Sequence, residues 1–192
     1  MTVYLDNCAT TRPHDRVIEK MVETMRTGYH NPSALYAPAV DAMRAVRACR
    51  EELLARVKGD GAIFTSGGTE ANNLAILGAS QRLRGDLIAA VSAVEHSSAR
   101  QTYESLRARG ADVRVIGVNE TGEMDMESLE RALADGARLV SVMHVNGETG
   151  AVSDIPAIHA HIAGRALLHV DGVQGFLRVP FDMKSCDLYS VS

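Results

Sequence analysis

The stretch LIAAVSAVEHSSARQTYESLRARGADVRVI, residues 87–116, decides the fold class. A short apolar run at 87–92 is followed by a helix-length segment at 98–109 and by a second short run at 112–116. Two strands that are joined by a helix pair in parallel, because the helix returns the chain to the same end of the sheet. This stretch therefore predicts a strand–helix–strand unit of a parallel sheet.

The same alternation continues on both sides of this stretch. The pattern predicts strands at residues 62–65, 87–92, 112–116, 139–144, 167–170 and 188–191. It predicts helices at residues 13–27, 38–57, 69–83, 98–109, 126–134 and 156–163. Short apolar strands that alternate with helices are typical of an α/β protein, with a mostly parallel sheet and helices on both faces.

Composition narrows the possible function classes. The 192-residue chain is 46% hydrophobic, which suits a folded domain, and its net charge of −4 provides no basic surface for nucleic acid. We find no apolar run long enough for a membrane span and no signal peptide. Three widely spaced cysteines, Cys8, Cys49 and Cys186, match neither a disulfide framework nor a zinc site. They predict reduced thiols and a cytoplasmic location.

Polar segments follow five of the six predicted strands. They are residues 66–70, 95–98, 144–150 and 171–174, together with Ser192. In an open α/β sheet, ligands bind outside the carboxyl ends of the strands. We therefore expect these segments to form one site for a polar ligand.

The segment Ser66-Gly67-Gly68-Thr69-Glu70 links a predicted strand to a predicted helix. A helix that begins here presents free N–H groups and the positive end of its dipole, which suits a phosphate group. The alternative is a simple glycine turn in which Thr69 caps the helix. The segment matches neither of the two common glycine-rich nucleotide-binding patterns, so nucleotide binding is not supported.

The other strand ends leave alternatives open. His96 either contacts a ligand or is a satisfied histidine at a strand exit, and Asp171 is either a cap or the partner of a buried cation. Asn146 and Gln174 are also compatible with ordinary loop residues.

Acidic residues near these ends suggest two further sites. Glu148 and Asp171 could form an acid–base pair, or a metal site together with His96 and His144. No close ligand spacing supports a metal site, and we predict none.

Five strings, taken in order, resemble one protein family. They are YLDNCATT (4–11), FTSGGTEANN (64–73), MHVNGETG (143–150), HVDGVQ (169–174) and DLYSVS (187–192). Together they resemble the cysteine desulfurases of the class V aminotransferase group, which are pyridoxal-phosphate enzymes of fold type I. The resemblance implies the large domain of the aspartate aminotransferase-like fold. Gly147 and Gly172 stand where the family more often has asparagine and alanine.

The resemblance implies a site for the cofactor pyridoxal 5'-phosphate. Gly68, Thr69 and Ser192 would hold its phosphate. His96 would stack on its ring and serve as a catalytic residue. Asp171 would pair with the ring nitrogen and keep it protonated.

The resemblance also assigns the remaining contacts of this site. Gln174 would bind the phenolic oxygen of the cofactor. Asn146 would contact that oxygen and the carboxylate of the substrate, while Ala9 and Thr10 would lie near the substrate.

The implied activity is removal of sulfur from L-cysteine, which yields L-alanine and an enzyme persulfide. A sulfur-acceptor protein would then receive the sulfur for iron–sulfur cluster or thio-cofactor biosynthesis, and the enzyme would be a homodimer. Two alternatives remain: another class V enzyme, such as a selenocysteine lyase or an aminotransferase, and a non-catalytic cofactor-binding fragment.

The resemblance covers only the N-terminal half of the family. Residues 1–12 would form a segment near the active site, and residues 13–192 an incomplete cofactor-binding large domain. The lysine that holds the cofactor covalently and the catalytic cysteine would follow Ser192, so we expect the 192-residue chain alone to be inactive. A further strand of the family would lie between 62–65 and 188–191, so we expect a gap in the sheet there.

Overall fold

The computed structural model describes residues 3–192, and the chain divides into two compact units between Ala62 and Ile63. The first unit contains α1, Asp15–Thr27, and α2, Ala37–Val57. Helix α1 begins two residues later than predicted, because the His14 side chain caps it by accepting a hydrogen bond from a backbone N–H. The boundary that we predicted after residue 12 stays a prediction.

The second unit alternates helices and strands. Its elements are α3 Gly68–Arg82, β1 Ile88–Ser92, α4 Ser97–Ala108, β2 Asp112–Ile116, α5 Met126–Ala134, β3 Leu139–Met143, α6 Ile155–Ile162, β4 Leu167–Asp171, a 3-10 turn Met183–Ser185 and β5 Leu188–Ser190. Within residues 3–192, no helix combines the length and apolar character needed to cross a membrane.

The five strands form one sheet in the order β2-β1-β3-β4-β5, and every pair is parallel. The register places Met143 opposite Asp171, and Asp171 opposite Ser190. The carboxyl ends of β3, β4 and β5 therefore lie side by side, which is the edge where the sequence predicts a ligand.

Two apolar clusters cover the two faces of the sheet. On one face, Ala90, Val140 and Leu168 pack with residues of α5 and α6. On the other, Ala89 and Leu139 pack with residues of α3 and α4. Neighbouring residues of a strand point to opposite faces, so the clusters confirm the predicted α/β sheet with helices on both sides.

The predicted strand at residues 62–65 is wrong. Ile63 is 76% exposed and Phe64 is 50% exposed, and the segment belongs to no strand of the sheet. A strand forms only where a neighbouring strand accepts and donates its backbone hydrogen bonds. Strand β5 ends the sheet within the described residues, and none of them supplies such a neighbour for 62–65. Because 62–65 is not a strand here, the gap that we expected between it and 188–191 stays a prediction.

Candidate functional site

Asp171 ends β4 and is only 4% exposed. Its Oδ1 accepts a hydrogen bond of 3.1 Å from the backbone N–H of Val173, and its Oδ2 accepts one of 2.7 Å from Nδ2 of Asn72 in α3. One donor comes from the turn after β4 and the other from a helix 99 residues away in sequence. The carboxylate is thus fixed in orientation, and it caps a turn rather than a helix.

His96 is connected to this carboxylate through two side chains. Asn72 Nδ2 also donates to Ser98 Oγ at 2.9 Å, and Ser98 Oγ lies 2.8 Å from His96 Nδ1. The backbone N–H of Ser98 donates to the same ring nitrogen at 3.2 Å, which makes His96 the N-cap of α4. Since Nδ1 accepts, a neutral His96 carries its proton on Nε2. Within residues 3–192, the hydrogen bonds of this exposed ring are made at Nδ1.

Gly68 is the first residue of α3, and Gly67 at the N-cap provides no side-chain cap. The first N–H groups of an α-helix have no partner within the helix, so this end can bind an anion. A Cβ on Gly68 would lie 2.9 Å from Cγ2 of Val173 and 3.3 Å from Cβ of Ser192. Those residues therefore lie against the start of α3. Thr69 is inside the helix, so the alternative in which it caps the helix is wrong.

Asn146 and Gln174 lie in loops that meet at Gly147. Asn146 Oδ1 accepts from two N–H groups of its own loop at 2.9 Å, and its Nδ2 donates to the carbonyl of Val94 at 3.2 Å. Gln174 Oε1 accepts from Arg178 at 2.7 Å, and a Cβ on Gly147 would lie 3.5 Å from Cγ of Gln174. Asn146 thus has the structural role of an ordinary loop residue, one of the alternatives left open above, because its amide oxygen binds two N–H groups of its own loop.

Glu95 is a site residue that the sequence analysis did not single out. It is 6% exposed, and its Oε1 accepts a hydrogen bond of 2.5 Å from the backbone N–H of Met143 at the end of β3. Burial and, to a smaller extent, the negative charge of Asp171 raise the pKa of Glu95 from 4.5 to about 8. Its Oε2 is buried without a hydrogen-bond partner among the described residues.

Asn72 and Ser98 were also missed. A sequence signal for Asn72 did exist: it shares the buried side of α3 with Ile76 and Ala79, at a spacing where an apolar residue is expected. A polar side chain at such a position requires hydrogen-bond partners. Ser98 lies in the polar segment 95–98 that was expected at the site, but no individual role was predicted for it.

Contacts connect Asp171 to His96 through Asn72 and Ser98, and they place Gly68 against Ser192 and Val173. Gln174 lies beside Gly147, and Asn146 binds the carbonyl of Val94, two residues before His96. Thr69 follows Gly68 in α3. Thr69 precedes Asn72 by one helical turn, and Asn72 contacts Asp171. Ala9 and Thr10 are exposed residues of the first unit, so their proximity to substrate stays a prediction.

This set of groups fits pyridoxal phosphate. The start of α3 suits its phosphate, and the buried carboxylate of Asp171 suits a protonated ring nitrogen. Two buried oxygens in the same region, Oδ1 of Asn72 and Oε2 of Glu95, have no hydrogen-bond partner within residues 3–192. Buried polar atoms that lack a partner in the protein are suited to face a bound ligand.

The fold is an α/β domain with helices on both faces of a parallel sheet, and comparison with known proteins gives its family. The model of the family described as Aminotransferase class-V matches residues 3–192, and the chain belongs to this family. The predicted class V resemblance is confirmed.

Three similar proteins illustrate the relationship. Cysteine desulfurase IscS of Neisseria meningitidis serogroup C (strain 053442) is 38% identical over 99% of this chain and 49% of its own length. The structure of SspA in complex with cysteine superposes with a TM-score of 0.91 at 29% identity, over 100% of this chain and 57% of that one. For DndA from Streptomyces lividans the TM-score is 0.83 at 34% identity, over 99% and 55%. The chain spans about half the length of the curated relatives that it matches.

Proposed function

We propose that this chain is part of a pyridoxal-phosphate-dependent cysteine desulfurase, which converts L-cysteine into L-alanine and passes the sulfur to an acceptor. The observation that carries the proposal is the buried Asp171 carboxylate, held on two sides, close to the uncapped start of α3. The similarity to proteins named cysteine desulfurase supports the same substrate.

The residues of the second unit have distinct roles in this proposal. Gly68, Thr69 and Ser192 bind the phosphate and fix the position of the cofactor. His96 stacks on the ring, and Asp171 holds a proton on the ring nitrogen through a charge-assisted hydrogen bond. The bound cofactor supplies an electron sink for the bonds around the α-carbon of the substrate.

The substrate is oriented by residues at the edge of this site. Gln174 binds the phenolic oxygen of the cofactor. Asn146 contacts that oxygen and also binds the carboxylate of L-cysteine. As the family resemblance implies, Ala9 and Thr10 lie near the substrate. The reaction removes one sulfur atom, which leaves L-alanine, and the sulfur moves to a cysteine thiol as a persulfide.

The biological setting follows from the same family resemblance. In this proposal, a sulfur-acceptor protein takes the persulfide sulfur for iron–sulfur cluster or thio-cofactor biosynthesis, and the enzyme acts as a homodimer in the cytoplasm.

The test is to load the full-length protein with pyridoxal phosphate and to add L-cysteine and a thiol reductant. We expect sulfide and alanine in equal amounts, together with a loss of both products in Asp171→Asn. The matched control is Asp182→Asn, because Asp182 is an exposed aspartate that caps the 3-10 turn. Failure to form sulfide would overturn the proposal. Faster amino transfer to a 2-oxo acid, or release of selenium only from selenocysteine, would identify one of the alternative class V activities instead.

A further inference from the structure

Asn72 lies within the series of hydrogen bonds that joins Asp171, through Ser98, to His96. It is fully buried, and the two protons of its Nδ2 have two acceptors: Asp171 Oδ2 at 2.7 Å and Ser98 Oγ at 2.9 Å. Because an amide nitrogen carries two protons, its donor capacity is used completely.

The orientation of this amide is fixed by charge. If the amide were turned over, Oδ1 of Asn72 would face the carboxylate of Asp171, and two acceptors would meet without a proton between them. With Nδ2 toward Asp171, the amide donates to a charged group, which is the stronger kind of hydrogen bond. The same proton arrangement leaves the hydroxyl proton of Ser98 free to donate to Nδ1 of His96, at 2.8 Å.

The position of Asn72 in α3 argues against a role in helix formation. Asparagine is an unfavourable residue inside a helix, and this one shares its buried side with Ile76 and Ala79. An apolar side chain would extend that apolar surface. The polar side chain at this point contributes its two hydrogen bonds instead, and both lead toward the candidate cofactor site.

We propose that Asn72 is a positioning residue that holds the Asp171 carboxylate and, through Ser98, the His96 ring in one fixed arrangement. This rests on the proposed function, in which Asp171 meets the ring nitrogen and His96 meets the ring face. Val173 binds the other oxygen of Asp171 at 3.1 Å, so loss of Asn72 leaves the carboxylate held on one side only. The carboxylate then rotates away from the direction of the ring nitrogen.

The test uses the full-length protein loaded with pyridoxal phosphate that carries ¹⁵N in its ring. In the wild type, the ¹⁵N resonance is expected at the position of a protonated ring. In Asn72→Ala it moves toward the unprotonated position, and the dissociation constant of the cofactor rises, because a displaced Asp171 carboxylate stabilises the protonated ring less. A ring-nitrogen resonance reports the contact to Asp171, and a purely structural role would leave it unchanged.

Asn73→Ala is the matched control. Asn73 is the adjacent residue of the same helix and also binds α4, since its Oδ1 accepts from Thr102 at 2.8 Å. The Asn73→Ala variant therefore loses a comparable contact between α3 and α4, and Asp171 keeps its hydrogen bonds. The ring-nitrogen resonance should stay at the wild-type position.

Two outcomes would overturn the inference. A folded Asn72→Ala protein with the wild-type ring-nitrogen resonance and wild-type cofactor affinity would show that Asn72 does not position Asp171. If Asn72→Ala does not fold, Asn72→Ser answers the same question, because one hydroxyl cannot donate to both acceptors. A wild-type protein that binds no pyridoxal phosphate would instead overturn the proposed function, and this inference with it.

Discussion

Gly172 directly follows Asp171 and is packed against the ring of Tyr189. A Cβ at this position would overlap Cε1, Cζ and the hydroxyl of Tyr189, at separations that real Cβ atoms do not show. The φ angle of Gly172 lies outside the left-handed region, so alanine meets no backbone strain there. Gly172→Ala is therefore a purely steric perturbation beside the candidate site.

The cost of this substitution follows from how firmly the Tyr189 ring is held. Its hydroxyl lies 2.9 Å from Nδ1 of His144, and its ring stacks on Phe181 at a centroid distance of 4.7 Å and an angle of 22°. The ring cannot move away from a new methyl group without disturbing both contacts. Overpacking costs about 1–3 kcal/mol, and a lost hydrogen bond costs about 1 kcal/mol more. We expect Gly172→Ala to lower the free energy of unfolding by about 2–4 kcal/mol.

Urea unfolding of the full-length protein, followed by circular dichroism, measures this loss. The matched control is Gly78→Ala, since Gly78 lies in α3 and a Cβ added there would have no atom within 4 Å. That change should stabilise the protein by up to about 1 kcal/mol, because alanine favours a helix over glycine. The double variant Gly172→Ala/Tyr189→Leu should lose less free energy of unfolding than the sum of the losses in the two single variants. A Gly172→Ala protein within about 0.5 kcal/mol of the wild type would refute this reasoning.

Three further predictions concern buried polar groups. In the loaded enzyme, Asp171→Asn should lower turnover far more than it lowers cofactor content; steady-state rates and cofactor absorbance measure the two, and near-normal turnover would count against the role of this carboxylate. Because burial raises the pKa of Glu95 from 4.5 to about 8, the folded protein keeps a proton on Glu95 that the unfolded chain releases, and stability should fall as pH rises from about 5 to 8 and level off above that. Urea midpoints measured across this range should depend less on pH in Glu95→Gln, and an unchanged pH dependence would contradict the raised pKa of Glu95. His169 is fully buried and bonds Ser141 Oγ and Ser190 Oγ, each at 2.9 Å, while burial lowers its pKa to about 4. His169→Leu should lower the free energy of urea unfolding by about 2–4 kcal/mol, since two buried hydroxyls lose a partner. A loss below about 0.5 kcal/mol would contradict the stabilising role of these two hydrogen bonds.

Local sequence patterns were sufficient to predict most of the fold. An apolar run of five or six residues, such as 87–92, must be buried on both faces, and helices on either side of it provide that cover. Parallel pairing then places all carboxyl ends at one edge, so Asp171 and His96 could be predicted to lie in one site before any contact was known.

The parts that sequence did not predict depend on partners that are distant in the chain. Residues 62–65 have the composition of a strand, but the described residues provide no neighbouring strand for them. The role of Asn72 depends on α3 packing over the end of β4, which brings it to Asp171 across 99 residues. The burial of Glu95 likewise depends on the end of β3, where Met143 supplies its donor. No local pattern contains these pairings.

The register of the sheet connects its stability with the geometry of the site. His169 and Asp171 are two residues apart on β4, so they point to the same face. A slip of one residue would turn both side chains to the opposite face. The register sets His169 opposite Ser141, and its two ring nitrogens bind the hydroxyls of Ser141 and Ser190 on the neighbouring strands. Each of these bonds is lost if β4 slips, so the buried histidine fixes the register that directs Asp171 toward Asn72 and the start of α3.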